Sequence, residues 1–310
     1  MAYYPPGQQI VLFGGDTPFR HGSEHSLGDT WVFGAHGWRR RNPLHSPPAR
    51  CCALMAYDPA TRLLLLFGGS SDTRQSSRVL FDTWAWDGAD WTQLKAVRLP
   101  TWMPGAPIAW DPAARRVTEL APRPGCPCSD PVPGDFHDST GRGRVGRWLW
   151  TGRSWSWSAE HPAPGTEGGV FAPDPLSGGM LYYSYSPPAP TYGGPIPRDP
   201  TGTRYSQTWL WHDGHFTKES PSRAPAWDNA LMVSDARIGR TVVIGETGRL
   251  WAWTGTTWQP LASGRGPPTG AAAVYDPSLG DLVIFGTKTY SSSPTSQTWL
   301  WNATRWIIAP

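Results

Sequence analysis

One aromatic pattern recurs six times along this chain of 310 residues and constrains its fold more than any other feature. Each copy has a tryptophan, a second Trp or Phe two residues later, and a third Trp or Phe seven residues after the first. The copies begin at Trp31, Trp84, Trp148, Trp209, Trp251 and Trp299, and none contains an insertion or a deletion. Such a period indicates a repeat architecture in which every unit builds the same small piece of structure.

A second element precedes each copy of the aromatic pattern. It is a short apolar run that ends at a turn, followed by a continuous apolar segment, as in MAYDPATRLLLLFGG (residues 55–69). The turn positions are Tyr4, Asp58, Asp111, Asp174, Asp235 and Asp276, which are 54, 53, 63, 61 and 41 residues apart. Glycine-containing turns also divide the aromatic pattern in two. Each unit is therefore predicted to contain four short antiparallel strands, A to D, and no window has a helical period.

Six such units predict an all-β chain, a six-bladed β-propeller of four-stranded antiparallel blades. We expect a single domain over residues 1–310, with blades at about 1–42, 50–97, 104–160, 167–220, 227–263 and 269–310. The segments DTWAWDGADW and LFGG resemble kelch-repeat propellers, in particular a bacterial branch and propellers like the central domain of galactose oxidase. The resemblance covers the whole chain, but it implies architecture and says little about activity.

The repeated tryptophans are predicted to form the walls between blades. Successive strand residues point to opposite faces, and the residue between the first two aromatics is apolar in every copy (Val32 and Ala85, for example). Both faces of strand C are therefore expected to be buried. A ligand platform would be expected in one copy of the repeat, whereas these aromatics occur in all six.

Composition excludes several classes of partner. The net charge is +3 and no run of Lys or Arg exceeds three residues, so no nucleic-acid partner is expected. No apolar stretch is long enough to span a membrane, and MAYYPPGQQI lacks the features of a secretory signal. Four cysteines are too few for a disulfide framework, so we expect a cytoplasmic protein with free thiols. We also expect a monomer that uses no cofactor. The first strand A is short, so export remains an alternative if the N-terminus has been trimmed.

The working face of the ring is predicted from the lengths of its connections. The A–B and C–D turns are short and lie together on one face. The B–C and D–A connections meet on the other face, and several B–C connections are long, as at residues 121–146 and 184–206. Because loops on a rigid scaffold carry function, we expect a ligand in the funnel on this long-loop face.

Three carboxylates are the candidate catalytic residues. Glu119 occupies an apolar position of strand B in blade 3, where it could be a general acid or base, or could pair with Arg147 of strand C. Glu167 and Asp228 stand seven residues before the turn positions of adjacent blades and could face each other across the funnel mouth.

Further candidates are expected to line the same face. The candidate ligand-binding residues are Arg50, Trp102, Trp227, Glu246, Tyr192, Tyr205 and Arg198. His21, Glu24 and His25 form a weak metal candidate, because their HxxEH spacing needs a helix that Gly22 and the loop setting disfavour. Cys51-Cys52 and Cys126-Pro-Cys128 could meet in a metal site or a disulfide, or remain thiols.

Two classes of function fit these residues. The first is a small-molecule site, which could be an acid/base enzyme of the isomerase, lyase or cyclase type that needs no redox cofactor. The second is a protein–protein interaction module, the common use of kelch propellers that the resemblance implies. An exported carbohydrate-binding propeller is a further alternative.

Overall fold

The computed structural model is an all-β protein. It describes residues 1–17, 25–72, 77–96, 100, 108–121, 144–162, 169–185, 201, 203, 205–227, 230–245, 248–261, 266–267, 272–286 and 297–309. A 3-10 turn, Pro5–Gly7, follows the first strand. No helix in the described ranges is long and apolar enough to cross a membrane.

The strands form six blades in chain order. Blade 1 contains β1 Ala2–Tyr4, β2 Gln9–Asp16, β3 Ser26–Gly34 and β4 Gly37–Arg41; blade 2 contains β5 Leu54–Asp58, β6 Leu63–Phe67, β9 Thr83–Trp86 and β10 Trp91–Leu94. Blade 3 contains β11 Ile108–Asp111, β12 Arg116–Ala121, β13 Arg144–Trp150 and β14 Trp155–Pro162; blade 4 contains β15 Val170–Pro173, β16 Met180–Tyr185, β17 Ser206–His212 and β18 His215–Glu219. Blade 5 contains β19 Leu231–Asp235, β20 Arg240–Ile244, β21 Leu250–Trp253 and β22 Trp258–Pro260; blade 6 contains β23 Ala272–Asp276, β24 Asp281–Phe285, β25 Thr298–Trp301 and β26 Trp306–Ile308.

The predicted fold class, a six-bladed β-propeller, is confirmed. Each blade is a four-stranded antiparallel sheet whose strands are hydrogen-bonded in the order A-B-C-D. The A strands of successive blades contact one another, and β23 of blade 6 contacts β1 of blade 1, so the ring is closed. Blade 2 also carries a hairpin that the sequence analysis did not predict, β7 Ser70–Asp72 with β8 Ser77–Val79, in its B–C connection.

In four of the blades, the third aromatic of the repeat is a tryptophan that is hydrogen-bonded to a threonine of the preceding blade. The indole N–H of Trp91, at the start of strand D in blade 2, donates to Thr30 Oγ1 of blade 1 at 2.9 Å. The same bond recurs from Trp155 to Thr83 at 3.1 Å and from Trp258 to Thr208 at 2.9 Å. The link therefore joins the third aromatic of one blade to the threonine that stands just before the first Trp of the preceding blade.

The same link closes the ring between blades 6 and 1. Trp38 donates to Thr298 Oγ1 at 2.6 Å, and its ring packs against Phe285 with centroids 5.0 Å apart. Ile10, Phe33 and Val283 form a buried cluster across this junction. The blades at the two ends of the chain thus meet through side chains, without a shared strand.

The interface between blades 3 and 4 departs from this pattern. Blade 4 has Phe216 where four of the other blades have the linked tryptophan, and Phe216 has no N–H to donate. Blade 3 correspondingly has Arg147 in place of the acceptor threonine. The Arg147 guanidinium lies 5.0 Å from the ring centroid of Trp211 and forms an ion pair of 2.7 Å with Asp111 Oδ2. Donor and acceptor have therefore been replaced together.

The short-turn face is built from buried aspartates at the A–B turns. Asp111 Oδ1 accepts the backbone N–H groups of Ala113 and Ala114, each at 2.9 Å. Asp276 Oδ1 accepts the corresponding bond from Ser278 at 2.8 Å. These carboxylates cap their own turns, which is the usual reason for aspartate at such positions. They are structural residues of the face opposite the long loops.

Candidate functional site

A cleft of about 450 Å³ lies at the long-loop end of blade 4. It forms where the B–C connection enters β17 and where β18 leaves toward the next blade. Nine residues line it: Thr203, Tyr205, Ser206, Gln207, Thr208, Lys218, Glu219, Ser220 and Pro221. The cleft therefore lies on the face of the ring that the connection lengths predicted to be functional.

The floor of the cleft is held in place by the pairing of its two strands. Thr208 is opposite Glu219, and Trp209 is opposite Lys218. The Lys218 ammonium lies 5.8 Å from the Trp209 ring centroid, and the Trp209 indole donates to Gln207 Oε1 at 3.0 Å. This chain of contacts fixes an amide and an ammonium group side by side.

The lining combines groups of both charges with hydroxyl groups. Lys218 and Glu219 give the lining one positive and one negative group and no net charge; they are adjacent in β18, so their side chains leave opposite faces of the strand. Threonine, serine and tyrosine hydroxyl groups and the Gln207 amide supply both donors and acceptors. Tyr205 adds an aromatic wall and packs edge-on against Tyr185, with centroids 6.3 Å apart. Such a surface suits a neutral ligand that carries many hydrogen-bonding groups.

Tyr205 is the predicted ligand-binding residue that the structure places in this cleft. Trp227, another predicted residue, lies in blade 5 and packs edge-on against Trp251 at 6.2 Å. A Cβ atom built on Gly245 would lie 2.1 Å from the Trp227 ring, so the glycine allows this indole to lie flat on the backbone. Trp227 is half-buried and does not line the blade 4 cleft.

The structure gives Arg50 a structural role instead of the predicted ligand-binding one. Its side chain is fully buried, with 0% exposure. Its guanidinium forms two hydrogen bonds with Asp82, at 2.6 and 3.0 Å, and donates to the carbonyl oxygens of Gly68 and Pro48. Asp82 also accepts the Trp84 indole N–H, and the pKa of Asp82 lies below its usual value despite burial because of these bonds, chiefly the one from Arg50.

The predicted ion pair between Glu119 and Arg147 is wrong. Glu119 lies opposite Trp148 in the sheet, whereas Arg147 lies opposite Leu120, so the two side chains point to opposite faces of blade 3. Glu119 shares its face with Val117 and Ala121, which pack against blade 2. Arg147 is directed toward blade 4.

Glu119 is also badly placed to act on a ligand. Its side chain has 0% exposure, and neither carboxyl oxygen has a hydrogen-bond partner among the described residues. Burial therefore raises the pKa of Glu119 well above the usual 4.5. The predicted general acid or base is a carboxyl group enclosed between two blades.

The remaining predictions fall mostly outside the described residues. Of the metal candidates, His25 is described, and its backbone N–H donates to Thr17 Oγ1 at 3.1 Å. No group of three or more metal-ligating side chains occurs in the described ranges. The predicted residues that lie outside them are Glu167, Asp228, Trp102, Glu246, Tyr192, Arg198, His21 and Glu24.

Sequence reasoning missed eight of the nine cleft residues, and the charged or amide side chains among them are Gln207, Lys218 and Glu219. Gln207 stands where blades 1 and 2 have the Asp of the DTW triplet, and it accepts the same indole bond as those aspartates, so this substitution was visible in the repeat. Lys218 and Glu219 lie at the end of strand D, where the repeats share no motif. Only the pairing of β17 with β18 brings them to the cleft.

Comparisons with known proteins support the fold. No family model matches the sequence, and no curated protein is significantly similar to it. The chain is similar to the solved structure of YjhT, with 12% identity, a TM-score of 0.59, and coverage of 96% of this chain and 97% of that one. It is also similar to the SapL1 lectin solved in complex with alpha methyl fucoside, with 14% identity, a TM-score of 0.49, and coverage of 97% and 96%. At 12% identity the likeness to YjhT shows a shared fold alone.

Proposed function

We propose that this chain is a ligand-binding propeller that holds a small, neutral, polyhydroxylated molecule in the blade 4 cleft. The proposal rests on one observation, the concentration of hydroxyl, amide and oppositely charged groups around a cleft of about 450 Å³ on the long-loop face. This volume is within the range of small-molecule sites. Kinship with kelch-repeat propellers, which the DTW and LFGG segments suggest, is part of the same proposal.

The chemistry of the lining favours a sugar-like ligand over an ion. A lining with one cation and one anion attracts neither sign of charge strongly, whereas the hydroxyl groups of a sugar can both donate to and accept from the hydroxyl, amide and charged groups around the cleft. The half-buried Tyr205 ring offers an apolar wall against which the C–H face of such a ligand can pack. Binding would then need no chemical step.

Binding is favoured over acid/base catalysis because the one described catalytic candidate, Glu119, is enclosed between blades. A general acid or base must reach the proton it transfers, directly or through one water. The cleft itself has one carboxylate, Glu219, adjacent to Lys218. Binding requires hydrogen-bonding groups and an apolar wall, and the lining of the cleft contains both.

The test is calorimetric titration of the protein with a panel of neutral mono- and oligosaccharides. We expect at least one to bind, and we expect Glu219→Ala and Lys218→Ala each to weaken it roughly 10- to 100-fold, because each removes a hydrogen bond to a charged group. His215→Ala is the matched control, since His215 lies in the same strand at the opposite end of the blade. The proposal fails if no saccharide binds, or if both cleft variants bind as tightly as the wild type.

A further inference from the structure

Two adjacent cysteines stand at the entrance to blade 2 on the long-loop face. The Sγ atoms of Cys51 and Cys52 are 2.9 Å apart. Cys51 is buried, with 8% exposure, whereas Cys52 is exposed. One thiol is therefore accessible to a reagent while the other lies directly behind it.

The backbone holds this pair in an uncommon conformation. Cys52 has a φ of 60°, in the left-handed region that residues other than glycine rarely adopt. Cys51 is fixed on its other side by two backbone hydrogen bonds with Ser70, of 2.8 and 3.0 Å. Strain of this kind persists where the surrounding structure imposes it, and it often marks a functional position.

The two thiols differ in reactivity. The hydrogen bond with Cys52, followed by burial and the neighbouring Asp16 carboxylate, raises the pKa of Cys51 above its usual value. A thiol with a raised pKa is a poor first nucleophile at neutral pH. The exposed Cys52 is therefore the thiol that meets an oxidant first, and Cys51 is positioned to react second.

We propose that Cys51 and Cys52 form a reversible disulfide between adjacent residues, with a low-molecular-weight disulfide as the oxidant. The Cys52 thiolate attacks one sulfur of the oxidant, which forms a mixed disulfide and releases one thiolate. Cys51 then loses its proton and attacks Cys52 Sγ, which releases the second thiolate. Two electrons and two protons leave the protein, and the oxidant is reduced to two thiols.

Such a disulfide should be easy to reduce. Adjacent Cα atoms are about 3.8 Å apart across a trans peptide, below the range of roughly 4.4–6.8 Å that unstrained disulfides span. Strained disulfides have more oxidising potentials, and these are the labile ones. The site is therefore suited to reversible modification and unsuited to a structural cross-link.

The test is peptide mass mapping of the folded chain after exposure to oxidised glutathione. We expect the peptide with residues 51 and 52 to lose two hydrogen masses and to regain them on treatment with dithiothreitol. Cys51→Ser should instead stop at a mixed disulfide on Cys52, and Cys52→Ser should leave Cys51 as a thiol. A variant with Cys126→Ser and Cys128→Ser should form the disulfide as the wild type does.

Two results would overturn the proposal. One is a wild-type chain that accumulates the glutathione adduct on Cys52 without forming the disulfide between Cys51 and Cys52. The other is a cross-linked peptide that joins residue 51 or 52 to Cys126 or Cys128. The rate of disulfide formation can also be compared between the folded chain and the chain unfolded in urea. We expect it to be roughly tenfold or more faster in the folded chain, because the two sulfur atoms are already in contact there. Equal rates would contradict a prepared site.

Discussion

Buried polar groups find their partners in different ways at the interface between blades 1 and 2 and at the interface between blades 3 and 4. In the first, a buried indole donates to a threonine of the preceding blade. In the second, Phe216 and Arg147 replace both partners, and the guanidinium turns inward to Asp111. A buried hydrogen-bond donor or acceptor left alone is costly, so losing one partner favours losing the other. The repeat thus tolerates a change of chemistry at an interface when both sides change together.

The largest expected effect comes from removing an indole at a regular interface. Trp91→Ala should lower the free energy of unfolding by about 3–5 kcal/mol, because it deletes a fully buried side chain and leaves a cavity between blades 1 and 2. Urea unfolding followed by circular dichroism measures this change. Trp209→Ala, which truncates a half-buried indole, should cost less. Equal losses would contradict the assignment of Trp91 as a wall residue.

The irregular interface can be converted to the regular one. Arg147→Thr alone should cost about 3 kcal/mol, because it leaves the buried Asp111 without its ion pair. Adding Phe216→Trp should recover about 1 kcal/mol by restoring the indole–threonine hydrogen bond. The two single variants and the double variant form a double-mutant cycle, measured by urea unfolding. Strict additivity would show that the two positions do not form a unit.

Glu119 should make stability depend on pH. Its pKa is raised in the folded state, so the stability of the wild type is greatest below the usual glutamate pKa of 4.5 and falls as the pH rises toward the folded-state value. The slope in this window is at most about 1.4 kcal/mol per pH unit. Glu119→Leu and Glu119→Gln should both remove this slope, and Glu119→Leu should be about 1–3 kcal/mol more stable at neutral pH. Unfolding at a series of pH values tests this, and a slope unchanged in both variants would exclude Glu119 as its origin.

The smallest expected effect comes from the acceptor side of the regular link. Thr30→Val keeps the shape of the side chain but removes the oxygen that accepts the Trp91 indole, and it should cost about 1 kcal/mol. Thr83→Val and Thr208→Val should behave alike in thermal unfolding, because they accept the same bond. The exposed Thr217→Val serves as the control and should be nearly neutral.

The architecture was predictable because it depends on short-range patterns that occur six times. The aromatic spacing and the A–B turn positions determine strands, alternation and blade number without reference to distant contacts. The bond between Arg50 and Asp82 could not be predicted, because the two residues are 32 positions apart and no local pattern indicates that they pair. The Glu119–Arg147 pair failed on register, since a difference of one residue moves a side chain to the other face of a strand. The cleft depends on Lys218 and Glu219 and has no repeated signal at all.

The closed contact between the first and last inner strands has a consequence for how this molecule can evolve. Open repeat arrays gain or lose units readily, and their terminal units need polar caps. A ring has no terminal unit, because every blade has a neighbour on both sides. Deleting or duplicating one blade would change the angle at every junction at once, so the number of blades resists change even where the chemistry of a single junction, such as that of Arg147, has changed.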